Sequence, residues 1–72
     1  MSIEVELIGC NVKLARMGDK YTGIITEAKR TDIREYYTIK VIEVVSEDAT
    51  YGIGDNIEIS PNEFKYVATI ME

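Results

Sequence analysis

Gly23 stands inside residues 21–28, a run otherwise rich in tyrosine, threonine and isoleucine, the side chains that favour a pleated, half-buried strand. A glycine there brings no side chain to pack, so it marks a sharp bend or a close approach of another backbone. The chain has only 72 residues, and one this short buries roughly 60% of the surface its unfolded form exposes. A strand that bends sharply is what a small barrel needs to enclose a core. Help from self-association is expected as well.

The segments around Gly23 carry the same period. Val12-Lys13-Leu14-Ala15-Arg16 alternates apolar with polar, as a strand with one face in a core does. Residues 17–20 form a turn signal. Residues 29–35 are charged or polar except Ile33 and read as a loop or hairpin tip. Residues 36–45 form the longest strand-like run, with Tyr37, Ile39 and Val41 on one face and Tyr36, Thr38 and Lys40 on the other. Beyond Val41 the alternation slips, because Ile42, Val44 and Val45 are apolar too; a bulge or burial of the second face accounts for it. Residues 46–55 form a second polar loop, and Asn56-Ile57-Glu58-Ile59 alternates again. Ser60-Pro61-Asn62-Glu63 is a capping box with proline at the first helical position. Only Phe64 and Lys65 separate it from the β-rich residues 66–70, so one short 3-10 turn is expected. Residues 1–8 set Ile3, Val5 and Leu7 against Glu4 and Glu6, and an extended segment is expected because eight uncapped residues with β-branched side chains make a poor helix. These elements amount to one domain, residues 1–72, that is all-β. Its outline is a small, strongly bent five-stranded SH3-like or OB-like barrel with a single short turn before the last strand.

Composition removes several classes of function. With no histidine and with Cys10 as its one cysteine, the chain lacks the ligands and bases for structural zinc, for Ser-His-Asp and for Cys-His chemistry. An intramolecular disulfide is impossible, and a cytoplasmic location is expected. Cys10 itself reads as a small buried apolar residue. No apolar run approaches 18 residues. No catalytic residue, metal site, cofactor or small-molecule substrate is expected. The net charge of −5 argues against coating nucleic acid by bulk electrostatics. The acidic excess is uneven, however: residues 1–40 carry +1 and residues 41–72 carry −6. Lys29, Arg30 and Arg34 cluster in one loop, where repetition around an oligomer would multiply weak phosphate contacts. The plainer reading is a solvated tip that Asp32 and Glu35 partly neutralise. Tyr36 and Tyr37 point to opposite faces, so at most one is core, and Tyr21 and Tyr51 are further candidates for exposure. An exposed ring beside a basic loop can stack on a base, and the same ring can equally be buried at an interface.

Gly18-Asp19-Lys20-Tyr21-Thr22-Gly23-Ile24-Ile25, with Gly9, Val12 and Leu14 upstream, resembles the first motif of Sm-like proteins. Residues 54–67, from Gly54 through Ile57, Ile59 and Asn62 to Val67, resemble the second motif. The resemblance covers about residues 9–70 and implies a five-stranded barrel whose fourth strand pairs with the fifth strand of the next subunit. The implied protein is a homo-oligomeric ring that binds single-stranded RNA, with an interface at Ile57, Ile59, Tyr66, Val67, Ala68 and Ile70. Both segments carry few of the charges, prolines or bulges that blunt an edge. The chain departs from the family at four places: the Gly9 to Gly18 interval is one residue shorter, residues 29–34 replace the base-contact loop, Ser60-Pro61 stand where an arginine-glycine pair is usual, and the usual N-terminal helix has little sequence to form from. The RNA contacts carried by the resemblance and the charge pattern are Lys29, Arg30, Arg34, Asn62 and Tyr36. Brevity and composition fit a divergent, phage-encoded member. The alternative reading is an SH3-like protein-interaction module with no nucleic-acid binding.

Overall fold

The computed structural model describes residues 5–71 apart from Met17, Glu47 and Asp48. Its elements are a 3-10 turn at Val5–Leu7, β1 (Asn11–Arg16), β2 (Asp19–Arg30), β3 (Glu35–Val44), β4 (Asn56–Ile59), α1 (Pro61–Val67) and β5 (Ala68–Ile70). The five strands form one antiparallel sheet in the order β4-β3-β2-β1-β5. β4 and β5 lie at its two ends and are not paired with each other, so the strands do not close into a barrel. The sheet is nevertheless curled. Laid flat, its end strands would stand about 19 Å apart, whereas the seven residues of α1 that link them span only about 10 Å.

Two bulges supply the curl. The β2–β3 register shifts between Thr22 and Gly23, where Ile42 is the extra residue, and between Ile25 and Glu27, where Thr26 is. The first shift is the slip in alternation after Val41, and the bulge leaves Ile42 41% exposed. At Gly23 the backbones come so close that a Cβ would lie 2.5 Å from Ile39 Cγ2 and 2.8 Å from the Lys40 carbonyl oxygen. The glycine is therefore required by a close approach as well as by the bend.

The enclosed face holds Val12, Leu14, Tyr21, Ile25, Tyr37, Ile39, Val41, Ile57 and Ile59, all buried. Each such side chain contributes roughly 1.5–3 kcal/mol by leaving water. Tyr21 is core rather than exposed. Its hydroxyl donates to Asp19 Oδ2 at 3.3 Å and accepts from the Tyr51 N–H at 3.2 Å. Tyr51 is half-buried, its ring edge-on to Tyr21 at 5.8 Å. Cys10 is a free, half-buried thiol packed against this core.

Three sequence expectations need correction. The short turn before the last strand is a seven-residue α-helix, α1, which takes Tyr66 and Val67 out of the final strand. Its cause is local and strong: Ser60 Oγ accepts from the Glu63 N–H at 3.1 Å, and Pro61 opens the first turn. Phe64 then packs on Tyr37 with ring centroids 4.7 Å apart, and Arg16 pairs with Glu63 at 3.0 Å. Packing and capping together outweigh the β propensity of tyrosine and valine. Second, Val5–Leu7 is a 3-10 turn, not extended chain; the Cys10 N–H donates to the Leu7 carbonyl at 3.0 Å. Residues 1–4 of that expected segment lie outside the described residues. Third, Lys29 and Arg30 belong to β2, and the loop is confined to residues 31–34.

Candidate functional site

The tip of the β2–β3 hairpin carries the basic cluster. Thr31 shapes it: its N–H donates to the Arg34 carbonyl at 2.7 Å, and its Oγ1 accepts from the N–H groups of Ile33 and Arg34 at 3.3 and 3.1 Å. This is a side-chain-built turn of the kind threonine favours. It leaves Ile33 90% exposed beside a shallow depression of about 250 Å³.

Lys29 is directly opposite Tyr36 across the β2–β3 ladder, so the two share the face of the sheet away from the core. Arg34 joins them, its guanidinium 4.1 Å from the centroid of the Tyr36 ring. Arg30 is opposite Glu35, one position along the ladder, and so faces the other side. Asn62 is also apart: it is exposed on α1, which packs on the core side through Phe64 and Tyr37, while Tyr36 lies on the outer side. Of the five proposed RNA contacts, then, the fold brings together Lys29, Arg34 and Tyr36.

Each basic group at the tip has a carboxylate beside it. Lys29 Nζ lies 3.8 Å from Glu27, Arg30 Nε 3.3 Å from Glu35, and Arg34 Nη2 2.8 Å from Glu58 on β4. The hydrogen bond to Glu58, then that to Tyr36, raises the already high pKa of Arg34. Arg34 therefore stays charged, and its charge is offset locally. Glu58 was not among the sequence candidates; its signal was its place as the polar residue between Ile57 and Ile59 on the strand next to β3.

The six interface candidates divide three ways. Ile57 and Ile59 are inside the protein's own core, so β4 presents at that edge its backbone and the exposed side chains of Asn56 and Glu58, not the two isoleucines. Val67 and Ala68 are half-buried and also pack against the core. Tyr66 is 88% exposed on α1, and Ile70 is 36% exposed on β5.

A second region on the outer face lies toward the other end of β2. There a groove of about 470 Å³ opens over β1, β2 and the start of β5, with Lys13, Lys20 and Thr22 among its walls. Sequence position does not reveal it, because Lys13 and Lys20 are brought onto adjoining rungs only by the β1–β2 register, Lys13 opposite Thr22 and Ala15 opposite Lys20.

Among the described residues, no group of three or more His, Cys, Asp or Glu side chains converges to hold a metal. No helix among them is long and apolar enough to cross a membrane. Comparison of the chain with protein-family models, with curated proteins and with solved structures returns no match.

Proposed function

We propose that this chain is a self-assembling module of the Sm-like, SH3-like kind, whose copies join edge to edge, β4 of one beside β5 of the next. The observation that carries the reading is the sheet order, in which both end strands have a neighbour on one side only while the curl brings the two ends near each other. Such an interface joins two different edges and is heterologous, so it closes into a ring when the rotation per subunit is right. Edge pairing also supplies the burial that so short a chain lacks alone. β5 carries no charged residue to blunt its edge, and Ile70 on it is partly exposed. Light scattering on the purified protein is expected to return a defined multiple of the 8.2 kDa chain mass. Ile70→Lys should shift that mass downward. A wild-type protein that stays monomeric at micromolar concentration sinks the proposal.

A second reading, contact with single-stranded RNA, is favoured by the stacked Arg34 and Tyr36 pair, since an aromatic ring backed by a guanidinium is a platform for a base. Fluorescence anisotropy with labelled oligouridylate across a salt series tests it. Binding that weakens with salt and is lost in Tyr36→Ala supports it; no binding at tens of micromolar protein removes it.

A further inference from the structure

We propose that the outer-face groove around Lys13 and Lys20 is a docking site for an extended, acidic stretch of a partner protein. The β-ladder builds it. Thr69, Lys13, Thr22 and Glu43 are cross-strand partners in one row over β5, β1, β2 and β3. On the next outer row Ala15 faces Lys20, whose carbonyl accepts from the Val45 N–H at 3.0 Å. The first bulge in β2–β3 falls at Thr22, and a bulged strand twists and bends. Beside it the outer face opens into a groove of about 470 Å³, within the roughly 300–1,000 Å³ of ligand clefts.

Charge selects the occupant. Lys13 and Lys20 make no ion pair among the described residues, unlike Arg16, Lys29, Arg30 and Arg34. Among the described residues of the lining Glu43 is the one acid beside two lysines, so those residues carry a positive excess. Its remaining surface is aliphatic: Val45 is 62% exposed, and Ala15 and Val67 extend the same wall. A nucleic acid would use the lysines but leave that wall uncovered. It would also find no stacking partner, because the aromatic ring of the lining, Tyr21, is 2% exposed and faces the core. A peptide that carries carboxylates and aliphatic side chains on one face satisfies both kinds of surface. Extended chain presents alternate residues on the same side, so carboxylate and aliphatic residues two apart would seat together.

The test uses the full chain and three labelled probes in anisotropy: a Glu-Ser-Val-Ser repeat peptide, its Lys-Ser-Val-Ser counterpart, and oligouridylate. The glutamate peptide is expected to bind, more weakly as salt rises, and the lysine peptide not to bind. Affinity should fall at least about tenfold in Lys13→Glu/Lys20→Glu and fall also in Val45→Asp, while Arg30→Ala/Arg34→Ala leaves it unchanged. Lys13→Gln/Lys20→Gln, which removes charge without reversing it, should show an intermediate loss, and circular dichroism checks that each variant is folded. Absence of glutamate-peptide binding, or binding that the lysine variants do not alter, overturns the proposal. So does oligouridylate binding that requires Lys13 and Lys20, which would make the occupant a nucleic acid. Loss of self-assembly in the lysine variants without any peptide binding would assign the groove to a second copy and overturn it equally.

Discussion

At the 31–34 tip, Lys29, Arg30 and Arg34 each lie beside a glutamate, while toward the opposite end of β2 Lys13 and Lys20 line a groove with Glu43 as its acid and no ion pair among the described residues. Both regions hold basic side chains, and Lys29 and Lys20 project from the outer face of the same strand. They differ in what the fold places opposite each charge. At the tip the hairpin ladder sets Arg30 against Glu35, and β4 brings Glu58 to Arg34. In the groove the ladder sets Lys13 against Thr22 and Thr69, and Lys20 against Ala15. A cluster of like charges in sequence is thus a poor guide to available charge in space. What a partner meets is the charge left over after cross-strand neighbours have been matched.

Gly23 separates the two regions, and replacing it is the largest perturbation. In Gly23→Ala the added methyl meets Ile39 Cγ2 and the Lys40 carbonyl at distances no relaxed Cβ adopts. Overpacking of this kind costs about 1–3 kcal/mol. Urea denaturation should show a lower midpoint with an unchanged slope. Thr22 lines the groove and directly precedes the glycine, so the variant should also lose affinity for the acidic peptide, whereas the Arg34 and Tyr36 contact, beyond the second bulge, should persist. A variant as stable as the parent would mean that β2 is not pinned at Gly23, and the distinction between its two ends would lose its structural basis.

What was legible in the sequence follows from how local each cause is. The alternation in β1 puts Val12 and Leu14 on a core face, and it groups Tyr37, Ile39 and Val41 on one face of β3 and Ile57 and Ile59 on one face of β4; all are buried, although the resemblance assigns Ile57 and Ile59 to a subunit interface. The slip at Ile42 is a bulge, and Gly23 is a close approach. Those signals depend on a residue and its immediate neighbours. The length of α1 is not legible because its second turn rests on Phe64 meeting Tyr37, a contact between residues far apart in the chain. The burial of Tyr21 and Tyr51 is illegible for a related reason: the hydroxyl that makes Tyr21 tolerable in the core is satisfied by Asp19 and by the backbone of a distant loop. The candidate site was least legible. Lys29, Arg34 and Tyr36 do meet, but Arg30 and Asn62 face elsewhere, and Glu58 and Lys13 acquire meaning only through strand register.

The smallest effect, and the one that sharpens the contrast most, concerns the Arg34–Glu58 pair. Both side chains are about half exposed, at 55% and 50%, and exposed pairs contribute about 0–1 kcal/mol. A double-mutant cycle over Arg34→Ala and Glu58→Gln, read by urea denaturation, should give a coupling below about 1 kcal/mol. A coupling of several kcal/mol would show the tip buried in an assembly and end its description as a solvated, self-neutralised surface. Glu58→Gln alone carries a further consequence. If neutralisation is what restrains Arg34, removing the carboxylate leaves the guanidinium stacked on Tyr36 with its charge unopposed. Oligouridylate affinity should then tighten, by no more than about fivefold, the factor equivalent to about 1 kcal/mol. The same variant should leave acidic-peptide affinity at the groove unchanged, because Glu58 pairs with Arg34 at the tip and does not line the groove. Equal responses of the two ligands would mean that long-range charge, and not the matching of neighbours, governs both ends of the strand.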